Sequence, residues 1–308
     1  MYDCAIVGGG IAGMQAAIQL GRYKHSVIVI DAGEGRSSLC RRYRNLLGYP
    51  DGISGSELLA VGRKQAEELG VTFLHGIASE ASNAEDVFTL EVACSKLNEG
   101  DGGQDYVRIQ AKRLLLATGV KDRLPEWPAL YPCLGISVYV CPDCDGYEAA
   151  DRHTLVLGSG DAGAAMALAL THWTRRITYV NHELETIDGE KRRQLDAHGI
   201  AVIDQPVSEL LTEGEQLSGV LLADGRTIAA DRGFTAFGGN EVRSSLGAQL
   251  GAKLSNNRHI ETDGRSKQTS VRHLWAAGDV AVHSEQAAIA MGDGSQAAIW
   301  MHKSLLEK

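Results

Sequence analysis

Two glycine-rich turns of the same pattern, Gly8-x-Gly10-x-x-Gly13 and Gly158-x-Gly160-x-x-Gly163, limit what this chain can fold into. Each follows a short apolar run, Ala5-Ile-Val7 or Thr154-Leu-Val-Leu157, and precedes a helix-like stretch of small and apolar residues, Met14–Leu20 or Ala164–Leu170. A second apolar run comes next, Ser26–Ile30 or Ile177–Val180. Strand, glycine turn, helix and parallel strand make up a dinucleotide-binding unit. Its glycines permit a tight turn and close backbone approach to a pyrophosphate, and the helix N-terminus attracts the negative charge. The residue that reads the ribose belongs at the end of the second strand. In the first unit it is an acid, Asp31; in the second it is Asn181, followed by His182-Glu183-Leu184-Glu185. An asparagine can hydrogen-bond a ribose, but two carboxylates and no arginine at the place of a 2'-phosphate predict poor NADPH binding. Lys191-Arg192-Arg193 reads as a solvated helix face unless it folds back to supply that charge.

The chain has 308 residues, 44% of them hydrophobic, enough for roughly two domains with buried cores. Pro125, Pro128 and Pro132 after the strand-like Arg113–Leu116 and its Gly119 turn mark one domain crossing, and Phe237-Gly-Gly-Asn240 a second. The polar stretch from Lys96 to Asp105 reads as a hairpin tip, and an alanine-rich helix is expected from about Gln286 to Leu306. The predicted class is therefore α/β, with two Rossmann-like three-layer domains, one interrupted by the other. A net charge of −9 opposes a broad phosphate-binding surface, so no nucleic acid is expected. No apolar stretch approaches the ~20 residues of a membrane span, and the N-terminus lacks a leader pattern, so a cytoplasmic location is expected.

In a reducing compartment six cysteines do not make a disulfide scaffold, and Cys4, Cys40, Cys94 and Cys133 have no paired spacing. Cys141-Pro142-Asp143-Cys144 differs, because a C-x-x-C pair lowers one thiol pKa and the thiolate can attack a disulfide. Pro142 and Asp143 favour a turn and helix start, placing Cys144 where thiolate is favoured. Zinc would need two further ligands; Cys133 offers one and spacing nominates no other, so no metal is expected. An inert buried pair is the other bland reading.

In order and spacing, Gly8-x-Gly10-x-x-Gly13, Ala117-Thr118-Gly119, Cys141-x-x-Cys144-Asp145-Gly146 and Gly278-Asp279 resemble the low-molecular-weight thioredoxin reductase family over nearly the whole chain. The resemblance implies an FAD-binding domain from residues 1–119 and 241–308 around a central pyridine-nucleotide-like domain, 120–240, that carries the dithiol. It also implies a homodimer with rotation between domains. Gly8, Gly10, Gly13 and Asp31 would hold the adenosine half of FAD, and Thr118 and Gly119 would also bind the cofactor. Gly278-Asp279 would meet the ribityl chain, and Asn45 and Gln286-Ala287 the flavin. By the same resemblance Cys144 is the flavin-facing sulfur, Cys141 the attacker of a thioredoxin-like protein substrate, and Asp145 the proton donor to the leaving thiol. A carboxyl in that role needs a pKa raised by burial.

Two departures matter. Glu285 stands where the family usually has arginine, and the family's histidine-arginine-arginine signature for NADPH is absent around Asn181–Ile187. The expected donor is therefore ferredoxin, as in the ferredoxin-dependent flavin thioredoxin reductase branch, with NAD(P)H doubtful. Arg36, Arg41, Arg42 and Arg44 form either a solvated face or a dock for such an acidic carrier. Alternatives are an NAD(P)H-dependent thioredoxin reductase, a small-molecule dithiol oxidase using oxygen, and a redox-silent flavin-binding protein. Asp145, where such oxidases often carry histidine, favours the reductase. His283 reads as a structural contact for want of a partner, and Trp300 and His302 as packing residues.

Overall fold

The computed structural model describes residues 1–94 and 105–307. Of the expected hairpin tip, all but Asp105 lies outside the described residues. The chain divides into two compact units, Met1–Ser38 with Ser56–Lys121 and Glu241–Lys308, and Leu39–Gly55 with Asp122–Asn240.

The first unit is built on a seven-stranded sheet. Tyr2–Val7 lies between Val27–Asp31 and the C-terminal half of Asp105–Leu116, parallel to both, and Thr72–His75 extends the parallel set. Leu274–Ala276 pairs in parallel with Leu114–Leu116. The N-terminal half of Asp105–Leu116 instead pairs antiparallel with Val87–Cys94, which pairs antiparallel with Ile77–Ala84. One strand thus serves two kinds of sheet. Only its last three residues, Leu114–Leu116, are continuously apolar and fully buried, as a strand covered on both faces must be. The helices Ile11–Arg22 and Ala287–Leu306 pack at such close range that a Cβ on Gly294 would fall 2.1 Å from the Ala12 carbonyl oxygen.

The second unit has a five-stranded parallel sheet ordered Ala201–Ile203, Ile177–Asn181, Thr154–Gly158, Arg232–Ala236, Val138–Tyr139. A three-stranded antiparallel sheet, Val207–Glu213, Gln216–Leu222 and Thr227–Ala229, accompanies it. Leu155 and Leu157 face a core with Leu130, Val138 and Val220, while Val156 faces Ala164, Tyr179 and Phe234, the period-2 alternation of a strand covered on both sides. Both sheets are Rossmann-like, and the class is α/β as expected. Leu39–Gly55 joins this unit through contacts that sequence order does not announce. Arg41 N–H donates to Leu134 O (3.2 Å), and Gly135, at φ +73°, lies so close that a Cβ would come within 2.9 Å of the Arg41 nitrogen.

Candidate active site

At the first turn Gly8 adopts φ +106°, and a Cβ there would stand 2.2 Å from the Ala117 carbonyl oxygen. Only glycine lets this turn abut Ala117-Thr118-Gly119. Gly13 is equally constrained, since its Cβ would meet Gly8 O at 1.9 Å. Gly10 is different: a Cβ there meets nothing within 4 Å. Asp31, half-buried at its strand end, accepts the Gly9 N–H through Oδ1 at 2.9 Å. Thr118 donates its hydroxyl to Arg243 O (2.5 Å), fixing the Gly119 turn. Gly278, at φ +75°, comes close to Ala12 on the helix leaving the first turn. Asp279 follows, and Gln286 and Ala287 stand at the start of the long C-terminal helix. The unit therefore gathers Gly8, Gly10, Gly13, Asp31, Thr118, Gly119, Gly278, Asp279, Gln286 and Ala287, and the open space at Gly10 fits a pyrophosphate. Asn45 is exposed and belongs to the other unit.

Glu285 has an explanation that its own position did not supply. Arg36 pairs with both Glu285 and Asp279, the latter at 3.2 Å. A guanidinium is thus delivered from residue 36 rather than residue 285. Burial raises the Asp279 pKa; Arg36 opposes the shift and Glu285 adds to it.

The second turn is closed by its own chain. Asn181, fully buried, accepts the Gly160 N–H (2.9 Å) and the Tyr179 hydroxyl (3.3 Å). Its amide donates to Glu185 O and Asp204, each at 2.8 Å. A Cβ on Gly160 would meet Glu185 Cβ and Thr186 O, both at 3.1 Å. Asp161, in the first turn of the helix, accepts from Asp188 N–H (2.7 Å) and Lys191 Nζ (2.9 Å). Glu183 pairs with Arg123, Arg192 with Asp204 (3.4 Å) and Arg193 with Glu190 (2.5 Å). Asn181 is therefore committed internally and is not placed to read a ribose, which corrects that allowance. Lys191 does fold back towards the turn, but onto a carboxylate. The residues present do not fit a pyridine nucleotide bound in the ordinary way.

The dithiol sits on a single helical turn, Pro142–Asp145, with Cys141 extended ahead of it, Pro142 in the first turn and Asp145 N–H bonded to Cys141 O (3.1 Å). Gly146 follows with its Cβ position 2.7 Å from the Trp173 ring, so the indole seats the end of the turn. Burial raises the Asp145 pKa to about 7; Arg44 opposes the rise and Glu148 adds to it. A carboxyl that titrates there holds a proton near neutrality. Arg44 reaches this turn through an ion pair with Glu148 (3.6 Å) and a bond to Gly135 O (3.3 Å). With Arg41 paired to Glu215 (2.7 Å), three of the four clustered arginines engage carboxylates of this chain, while Arg41 and Arg42 stay exposed to solvent.

Sequence reasoning named Arg36 and Arg44 only as members of a basic cluster and missed Glu148 and Asp293. The last, buried on the C-terminal helix, pairs with His283 (2.6 Å) and Lys267 (2.8 Å). Trp300 carries cations over its ring, Lys303 at 4.5 Å and Arg265 at 5.4 Å; His302 stacks on Tyr23 at 4.0 Å. Both are partly exposed rather than core residues. Among the described residues no cluster of three or more metal-ligating side chains occurs, and no helix is long and apolar enough to cross a membrane.

Comparison with known proteins agrees with this fold. The chain is 32% identical over 308 aligned positions to the thioredoxin reductase of Treponema pallidum (strain Nichols), covering 96% of this chain and 95% of that one. The thioredoxin reductase of Streptococcus pyogenes MGAS5005 superimposes with a TM-score of 0.84 at 28% identity, over 100% of this chain and 99% of that one. An oxidoreductase from Agrobacterium tumefaciens gives 0.78 at 32% identity, over 99% and 98%. The profile of the pyridine nucleotide-disulphide oxidoreductases matches residues 2–294, so this chain belongs to that family and is an oxidoreductase.

Proposed function

We propose that the protein is an FAD-dependent disulfide reductase that passes electrons through Cys141 and Cys144 to thioredoxin or a similar small protein. When bound, FAD supplies the electron pair. The first unit's turn, Asp31, the Thr118-Gly119 and Gly278-Asp279 turns and Gln286-Ala287 hold it. Cys141 thiolate attacks one sulfur of the substrate disulfide, forming a mixed disulfide and releasing a substrate thiolate. Asp145 delivers the proton that this leaving sulfur takes up. Cys144 thiolate then attacks Cys141 Sγ, freeing the second substrate sulfur and closing the Cys141–Cys144 disulfide. The observation that carries this reading is a carboxyl titrating near 7 directly after the second cysteine of a C-x-x-C.

The domains we assign to this work are 1–119 and 241–308 for FAD and 120–240 for the dithiol, with Leu39–Gly55 grouped with the dithiol unit, in a cytoplasmic homodimer. For the donor we favour ferredoxin. Asn181 is bonded to the Gly160 N–H and to Glu185 O, and Glu185 and Thr186 lie against Gly160, which supports a donor other than ordinarily bound NADPH. The internal pairing of Arg41 and Arg44 weakens the case that their cluster docks the carrier. One observation favours the second reading, NADH or NADPH in an unusual mode. A cavity of about 210 Å³ opens beside the second turn, lined by Arg123, Ala162, Met166, Phe237 and Asn240 among others.

Anaerobic stopped-flow reduction of the flavin by reduced ferredoxin, NADPH and NADH in parallel decides between them. Fast, saturable bleaching by ferredoxin alone is expected, and the same behaviour with NADPH overturns the donor assignment. Cys144→Ser should keep the yellow flavin and lose disulfide reduction; unchanged turnover sinks the dithiol mechanism.

A further inference from the structure

The Gly278–Ala287 stretch, which the reading above sets against FAD, is tied down by a group of charges that the proposed electron path does not use. Asp293 projects from the C-terminal helix and is 5% exposed. One oxygen lies 2.8 Å from Lys267 Nζ and the other 2.6 Å from His283 Nε2. The His283-side oxygen also accepts the Gly278 N–H at 3.4 Å. His283 Nδ1 contacts Ser284 O at 2.8 Å. One carboxylate therefore holds the glycine that begins the loop and the histidine in its middle. Lys267, at φ +61°, is brought in from a separate turn whose Asp263 accepts the Ser266 N–H and hydroxyl, each at 2.7 Å. The other charged groups of this neighbourhood are Asp279, Arg36, Glu285 and His259, the last 3.6 Å from Glu285.

We infer that Lys267 and His283 are positioning residues that clamp Asp293 and hold the 278–287 loop in its flavin-binding shape, so that flavin retention responds to the protonation of His283. The inference rests on the reading that this loop faces FAD. A buried carboxylate needs compensating charge, and two cations from different segments supply it. Neutral His283 leaves only Lys267 and the Gly278 amide to do so. The contact with Asp293 holds the His283 pKa above its ordinary value against burial, and Lys267 opposes the rise. Burial of Asp293 favours its neutral form, but His283 and Lys267 outweigh it and hold its pKa below the usual range. The signs follow by linkage. The His283 contribution is complete below the ordinary histidine pKa and is lost as pH rises through the raised value. The Asp293 contribution is lost only as pH falls through its depressed one. Flavin should therefore bind most tightly between those limits and more weakly on the alkaline side.

The test is the FAD dissociation constant of the holoprotein, read by the rise of flavin fluorescence on dilution between about pH 6 and 9, with the His283 ring followed by NMR over the same range. In the wild type, affinity should fall on the order of tenfold as His283 deprotonates, the scale of one partly buried ion pair. His283→Gln should bind with the wild type's alkaline affinity at every pH. Lys267→Met should bind more weakly throughout while keeping the slope. Asp293→Asn should return the His283 ring to an ordinary histidine titration; where that variant does not fold, a raised wild-type titration stands in its place. A wild-type profile retained by His283→Gln, or an ordinary His283 titration in the wild type, overturns the clamp. A wild type that binds no FAD at any pH overturns the flavin reading as well, whereas binding without pH dependence overturns the clamp alone.

Discussion

The first glycine turn leaves its second glycine, Gly10, facing open space, whereas the second turn presses the equivalent Gly160 against Glu185 and Thr186. Both turns start from the same strand, turn and helix, and both take a side chain from the end of the next strand. What differs is the chain beyond that side chain. After Asp31, residues 32–35 leave the Gly10 position clear. After Asn181, residues 182–188 turn back and are held by the Asn181 amide, Asp161 and Arg123. A fingerprint motif thus specifies a strand, a turn and a helix but not a vacancy, and the turns themselves differ, with Gly10 at φ −69° and Gly160 at φ +46°. The backbone N–H of Gly160, which could meet a phosphate, is already bonded to Asn181.

The comparison can be broken by giving both turns the same change. Gly10→Val should cost FAD affinity on the order of a thousandfold, about 4 kcal/mol, because its side chain fills the pyrophosphate space. Titration of the apoprotein with FAD checks this. Gly160→Val should leave FAD binding unchanged and cost roughly 3 kcal/mol in stability by denaturant unfolding, since its side chain meets the protein itself at a positive φ. If Gly160→Val instead bleaches the protein of flavin, the contrast between the turns is wrong.

The next effect concerns where electrons leave. Asp145→Asn should lower disulfide reduction on the order of a hundredfold, the scale of a lost general acid. In the wild type the proton is held below about 7 and lost above it, so turnover should decline on the alkaline side, with that break absent from Asp145→Asn. Steady-state rates across pH measure both.

Smaller effects sharpen the closed second turn. Asn181→Ala should destabilise the protein by about 2 kcal/mol, because it strands buried partners, without creating tight NADPH binding. Isothermal titration with NADPH tests the second half, and micromolar binding would show that Asn181 alone keeps the site shut. Least of all, Lys191→Ala should change NADPH affinity by less than about twofold, because Asp161 already neutralises that ammonium in an exposed pair.

Much of the fold was legible because its signals are local. The apolar runs, the glycine spacing and the alanine-rich C-terminal helix are short-range patterns, and the strands and helices lie where these patterns fall. The dithiol and Asp145 were legible for the same reason, being five consecutive residues. Their surroundings were not. Arg44 stands about 100 positions from the Glu148 it pairs with, and Arg36 about 250 from Glu285; a basic cluster in the sequence became separate ion pairs because Arg36, Arg41 and Arg44 found different carboxylates. His283 looked solitary because the carboxylate it meets projects from the following helix, where Asp293 reads as one more residue of an alanine-rich run.

By itself, then, the sequence determined two dinucleotide-type units, a dithiol with an adjacent acid, and a second ribose position without its acid. Backbone geometry and hydrophobic periodicity are encoded within a few residues. Only the tertiary structure decided that Gly10 is open and Gly160 closed, that Asp145 is buried enough to hold a proton near neutrality, and that Leu39–Gly55 carries Arg44 to the dithiol turn. Occupancy, burial and charge pairing depend on which distant segments share a space, and that is fixed by packing rather than by spacing along the chain.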